Sequence, residues 1–320
     1  MVIMDNNLYS VTICAVIFGV DETLINIDIG NGFIFKRMSL TPSKDHLNEV
    51  FETDAMGLRR DYEDARIGEE LNVICVFKSY RINLNKMEVD NFYKELCDDV
   101  LEYLDNKIRA IRLLIEGSIR FKKLSINMKS EVHLIEATNV GSSYSCIIPI
   151  GEAMGTREIN KLHCDYKKIK ELNYKISLIN FPITDPILNT CHKYYDLSYH
   201  QEQVISITLL ITCLEILFLD SEKAKREKLS KRCSVFLYDN KNERLSCYVK
   251  LHKAYKKRSE FVHDGDFLQV KDEDIIFLRE CVRESLIKYL NNKCNKKNVI
   301  RELKETITSL DYWENNKIDL

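Results

Sequence analysis

Arg258 and His263 stand five residues apart in the stretch Tyr255-Lys256-Lys257-Arg258-Ser259-Glu260-Phe261-Val262-His263-Asp264-Gly265, which brings a permanent cation and a titratable imidazole close together. Arginine presents a rigid fork of donors that matches phosphate oxygens, and histidine gives and takes protons near neutrality. The pair therefore suits a phosphate-handling site. Cleavage of RNA needs a proton removed from a ribose 2′-hydroxyl, a proton delivered to the leaving 5′-oxygen, and compensation of charge on the phosphorane between them. An arginine and a histidine supply these functions without a metal. From spacing alone, a structural ion pair for Arg258 and a histidine capping the last carbonyls of its helix account for the same residues.

The elements that position the pair impose a condition. Five residues on an ideal helix turn through about 140°, so one unbroken helix does not aim both side chains at one atom. Asp264-Gly265 is expected to end the helix at or just after His263 and free the imidazole to turn toward Arg258, because glycine suits a left-handed terminal residue. A partner subunit completing the site is the other solution. A helix carboxyl end also favours a cation, here an imidazolium at position 263.

Beyond Phe181-Pro182-Ile183-Thr184-Asp185-Pro186 the pattern is wholly helical, with helices expected at about 187–200, 201–219, 222–238, 242–263, 272–291 and 296–313. The run Val204 to Leu219 is interrupted by Ser206, Thr208, Thr212 and Glu215, falls short of a membrane span and reads as a buried core helix. Glu215 lies among Leu214, Ile216, Leu217 and Phe218. It is either on the solvent side of its helix or a buried carboxylate needing a cation, for which Arg258 and Arg232 are the candidates.

The amino-terminal half mixes strands with helices. Leu8 to Leu40 is β-like, with Asn31-Gly32 suited to a tight hairpin turn, and Leu71 to Leu84 reads as another strand. Thr41-Pro42-Ser43 and then Lys44 to Arg60 resemble a capped start and a polar helix. Phe92, Leu96, Val100, Leu104, Ile108, Ile111 and Ile115 form one apolar stripe on a long helix over Val89 to Glu116, ended by Gly117. Ile119 to Met128, Glu131 to Thr138 and Ser142 to Ile150 alternate as strands. The fold class that follows is α+β: a mixed α/β domain over 1–185 and an all-α helical domain over 186–320.

Composition narrows function by exclusion. The 47 basic and 49 acidic residues give a formal charge of −2, so phosphate binding requires a local patch. The basic clusters Lys223 to Lys231 and Lys250 to Lys257 are each explained by a solvated helix face. Eleven scattered cysteines, odd in number and without a CxxC pair, indicate a reducing cytoplasm rather than a disulfide framework or a zinc ribbon. His163-Cys164 and Cys191-His192 lack the two-to-four-residue spacing of zinc ligands, so no metal and no cofactor is expected. The apolar run Val11 to Val20 lacks the basic flank of a secretory signal. Gly151 to Thr156 reads as an ordinary strand-to-helix turn rather than a P-loop. Tyr194, Tyr195 and Tyr199 suit packing or dimer contacts better than base stacking.

Arg258-Ser259-Glu260-Phe261-Val262-His263 fits the R-x4-6-H signature of HEPN domains, and Tyr255 before it with Asp264-Gly265 after it resembles the Apea-like branch. Leu214 to Phe218 resembles that branch's helix bearing a buried glutamate. Lys228-Leu229-Ser230-Lys231-Arg232-Cys233 resembles its "lsxR" helix start. The resemblance covers about residues 187–292. It implies a HEPN-like bundle that dimerises so that two Arg-His sets line one cleft, as a metal-independent endoribonuclease of toxin, antiviral or stress-defence systems acting on RNA. Other members are inactive and serve as RNA- or nucleotide-binding or dimerisation modules. By carry-over, Arg258 stabilises the scissile phosphate, His263 transfers the proton, and Glu215 orients Arg258, with Arg232, Tyr255, Lys257, Ser259 and Asp264 in support. Active members often carry Asn or Asp where this chain has Ser259. The amino-terminal domain would then sense a trigger or select the RNA.

Overall fold

The protein was analysed as a computed structural model, which describes residues 6–40, 71–85, 87–131, 143–149, 161–220, 223–264, 270–292 and 295–310. The chain is of the α+β class and divides into two compact units, the described residues through Ile179 forming the first and those from Asn180 the second. The expected polar helix over Lys44 to Arg60, the strand beyond Glu131 and the turn at Gly151 to Thr156 lie outside the described residues.

In the first unit, β1 (Asn6–Phe18), β2 (Ile34–Leu40), β3 (Leu71–Asn85), β4 (Arg120–Ser130) and β5 (Ser143–Pro149) form an antiparallel sheet in the order β2-β3-β1-β4-β5. Val11, Ile13 and Ala15 of β1 stand opposite Met128, Ile126 and Leu124 of β4, and all six are buried. The alternate residues Cys14, Val16 and Phe18 cluster with Val73 and Cys75. The central strand is therefore apolar on both sides, which is why it reads as a nearly continuous hydrophobic run. Helix α1 (Val89–Leu114) packs beside β4 and buries Val100, Leu104, Ile108 and Ile111 of its expected stripe.

The hairpin expected at Asn31-Gly32 is corrected by this topology. β1 and β2 do not pair, because β3 lies between them. Asp21 instead caps a short 3-10 turn over Glu22–Asn26. Asn31, with φ 53°, and Gly32, with φ 73°, turn the chain locally so that Asp28 bridges Ile34. The dipeptide does make a tight turn, but one that joins a loop to the edge strand. The first unit ends with α2 (Ile169–Leu178), capped by a turn whose N-cap Asp165 accepts from the Lys167 amide.

The second unit contains α3 (Pro186–Leu197), α4 (Gln203–Phe218), α5 (Lys225–Leu237), α6 (Lys241–Asp264), α7 (Asp272–Asn292) and α8 (Lys296–Thr308). Asp185 accepts from the Ile187 and Leu188 amides and Pro186 occupies the first helical turn, so α3 begins where the proline pair predicted a break. Helix α4 touches α3, α5, α6, α7 and α8, as its nearly all-round apolar surface demands. Cations close its carboxyl end: Arg232 donates to Phe218 O at 2.8 Å and Lys296 to Leu219 O at 2.6 Å. Those carbonyls have no helical partner, and the helix dipole adds to their attraction for positive charge. Lys288 likewise donates to Phe236 O and Leu237 O in the last turn of α5.

Candidate functional site

Helix α6 runs unbroken from Lys241 to Asp264, so Arg258 and His263 share it and project about 140° apart around its axis. His263 occupies the last turn and is exposed. The helix closes at Asp264, and Gly265 lies outside the described residues. The imidazole is thus carried by helical backbone rather than released before it.

Arg258 forms the centre of a small polar group at the surface of α4. Its Nη2 lies 3.9 Å from Glu215 Oε2, with 22% of the arginine side chain and 19% of the glutamate side chain exposed. The Tyr255 hydroxyl donates to Glu215 Oε1 at 2.7 Å, and the Arg258 guanidinium stands 5.7 Å from the Tyr255 ring centre. Tyr255 and Arg258 are neighbours by their three-residue spacing, which puts both on the side of α6 that meets α4. Burial pushes the Tyr255 phenol up to about 12, and the adjacent Glu215 carboxylate adds to the rise while Arg258 opposes it. Arg258 Nε is buried without a hydrogen-bond partner among the described residues. Among the described residues Glu215 thus holds the guanidinium by one loose contact and leaves its Nε without a partner.

The other residues expected at the site separate into distinct environments. Lys257 is bound to Asp274 of α7 at 2.6 Å and each is about one-fifth exposed, so it ties two helices together. Ser259 is half-buried on α6. Arg232, one of the two cations considered for Glu215, is buried and caps Phe218 O instead, because α5 crosses the end of α4 one turn beyond Glu215. Tyr195 and Tyr199 are core residues whose hydroxyls meet at 2.9 Å, which removes them from any stacking surface. His163 pairs with Asp21 at 2.6 Å in the first unit, and in the second His192 is buried against the Phe181 ring at 4.3 Å.

Two further residues border the site that sequence spacing did not select. His252, on the turn of α6 before Tyr255, is buried beside the Tyr248 ring at 5.7 Å. Burial holds its pKa below the ordinary histidine range, and the nearby Arg226 of α5 lowers it further against the pull of Glu227. The three-residue spacing of His252 and Tyr255 was a readable signal; the approach of Arg226 from another helix was not.

No protein-family model matches the chain, and no curated protein or solved structure matches it either. Among the described residues, no helix is long and apolar enough to cross a membrane.

Proposed function

We propose that the helical domain binds RNA and cleaves it without a metal ion, acting as a homodimer. The observation that carries this reading is the condition of Arg258: a guanidinium steadied by Glu215 and Tyr255, whose buried Nε has no hydrogen-bond partner among the described residues. In the reaction His263 takes the proton of the ribose 2′-hydroxyl, the 2′-oxygen bonds to phosphorus as the bond from phosphorus to the 5′-oxygen breaks, and the imidazolium so formed returns the proton to the leaving 5′-oxygen. The products are a 2′,3′-cyclic phosphate and a 5′-hydroxyl. Arg258 offsets the extra negative charge of the phosphorane, an effect worth about 10²-fold or more in rate. Because Arg258 and His263 diverge around α6, the second copy supplies the histidine that faces a given arginine. The R-x4-6-H signature and its resemblance to Apea-like HEPN domains support the same reading. It places the protein in the cytoplasm, in a toxin, antiviral or stress-defence system, with the amino-terminal domain sensing the trigger or selecting the RNA.

A second reading, an inactive HEPN module that binds RNA or holds a dimer, is favoured by Ser259 and by the divergence of the two side chains. One experiment separates them. Full-length protein treated with EDTA is incubated with RNA and the new ends are analysed. The nuclease reading expects cyclic phosphate ends that disappear in Arg258→Ala and His263→Ala. Equal cleavage by both variants contradicts it, and RNA binding without cleavage by the wild type favours the second reading.

A further inference from the structure

Between Lys161 and Leu178 the first unit carries five lysines and two carboxylates, in a chain whose formal charge is −2. Both carboxylates are engaged locally: Asp165 accepts from the Lys167 amide at 3.0 Å, and Glu171 pairs with Lys175 at 2.6 Å. Lys161, Lys167 and Lys170 are exposed and make no ion pair among the described residues. Two large rings share this surface, Tyr166 at 69% and Tyr174 at 64% exposure. The inner side of the segment is fixed to the unit. Ile176 is buried, Lys107 of α1 donates to Ile176 O at 3.5 Å, and Asn173 Oδ1 accepts from the Asp28 amide at 3.1 Å. The Tyr166 hydroxyl donates to Asn26 Oδ1 at 3.1 Å, which holds that ring in place with its surface in solvent. Lys170 and Tyr174 are four residues apart, hence neighbours on the outer side of α2. This is the kind of local basic patch that phosphate binding requires in a chain without net positive charge.

We infer that the outer face of α2 and the turn before it bind single-stranded RNA, with Tyr166 and Tyr174 stacking on bases and Lys161, Lys167 and Lys170 meeting phosphates. The inference rests on the reading of the chain as one that acts on RNA, and it gives the first unit the task of selecting the strand. Stacking platforms interleaved with cations suit a single strand, because every base offers a ring face once it is unstacked. In a duplex those faces are covered by neighbouring bases and the tyrosines have nothing to meet. An anionic membrane is the other partner of a basic helix, but it needs a broad apolar face turned outward. Here Ile176 points into the unit, and Leu178 is the one exposed aliphatic side chain on α2.

The test titrates full-length protein with a labelled single-stranded RNA of about ten nucleotides, a length within the span of single-strand sites, in EDTA and over a range of salt. Every protein in the titration carries His263→Ala, so that the strand is not cut while it binds. Tyr174→Ala is expected to weaken binding about fivefold or more, the loss of one stacked base, whereas Tyr174→Phe keeps the ring and stays within about twofold. Lys167→Gln and Lys170→Gln each make the slope of log K against log salt shallower by about 0.7, the value for one phosphate contact on a single strand. Tyr174, Lys167 and Lys170 are exposed, and circular dichroism checks that the variants fold. Metal-free cleavage by protein with His263 intact is measured separately. If that protein cleaves RNA while the α2 variants bind like their parent, the inference is overturned and the nuclease reading stands. If the variants lose RNA binding as expected but no cleavage occurs, the surface is upheld and the nuclease reading falls. Unchanged RNA binding, with loss of binding to phosphatidylserine vesicles, makes α2 a membrane face and overturns the inference. Absence of RNA binding in the parent protein overturns it as well.

Discussion

Arg279 and Arg258 both stand against a tyrosine in the helical unit, and they are used in opposite ways. Arg279 is 4% exposed, lies 3.9 Å over the Tyr199 ring, and donates to Ser198 O at 2.7 Å and Ser198 Oγ at 3.4 Å. Its donors are spent on the backbone that links α3 to α4. Arg258 stands farther from its ring, at 5.7 Å, meets Glu215 only at 3.9 Å, and has a buried Nε with no hydrogen-bond partner among the described residues. A guanidinium whose hydrogen bonds are satisfied inside the fold contributes stability; one held in place but left short of partners is available to an anion. On the proposed reading, this difference is what leaves Arg258 open to a phosphate.

The comparison breaks or survives first on activity. Arg258→Ala is expected to lower RNA cleavage by about 10²-fold or more, measured as a single-turnover rate, while stability falls by no more than about 1 kcal/mol for a partly exposed pair. Arg279→Ala is expected to cost about 3 kcal/mol, read as the shift in a denaturant midpoint, because it strips buried groups of their partners. If Arg258→Ala destabilises as much as Arg279→Ala, both arginines are structural and the contrast fails.

Tyr255→Phe tests a smaller effect. Without the hydroxyl, Glu215 loses its 2.7 Å donor and no longer fixes Arg258, so cleavage falls by roughly tenfold, equivalent to about 1.4 kcal/mol. Unchanged kinetics would show that Glu215 does not position the arginine. The smallest effect is that of pH. Since the folded protein holds the pKa of His252 below the ordinary value of about 6.5, the unfolded chain binds more protons as pH falls. The stability contribution is complete above that value and is lost as pH drops toward the lowered folded pKa. His252→Asn is expected to flatten the stability profile below about pH 6.5. A slope equal to that of the wild type would remove His252 from the explanation.

Much of the helical unit was legible in the sequence because local signals agree there. The proline pair before α3 and the apolar run of α4 mark their elements there without tertiary information, as the stripe of α1 does in the first unit. The sheet order was not legible: Asn31-Gly32 announces a turn, but only pairing across distant sequence decides that β3 enters between β1 and β2. At the site, the spacing of Tyr255 and Arg258 and the apolar setting of Glu215 were readable. The choice between Arg258 and Arg232 was not, since it depends on how α5 crosses the end of α4.

In the proposed nuclease an arginine and a histidine diverging on one helix act together across a dimer, and mixing subunits separates this arrangement from a site within one subunit. Arg258→Ala and His263→Ala proteins, each inactive alone, are unfolded together and refolded, and metal-free RNA cleavage is measured. If each site takes Arg258 from one subunit and His263 from the other, half the dimers are mixed and each regains one of two sites. About one quarter of wild-type activity should return. No recovery in a sample shown to contain mixed dimers would contradict a site shared between subunits.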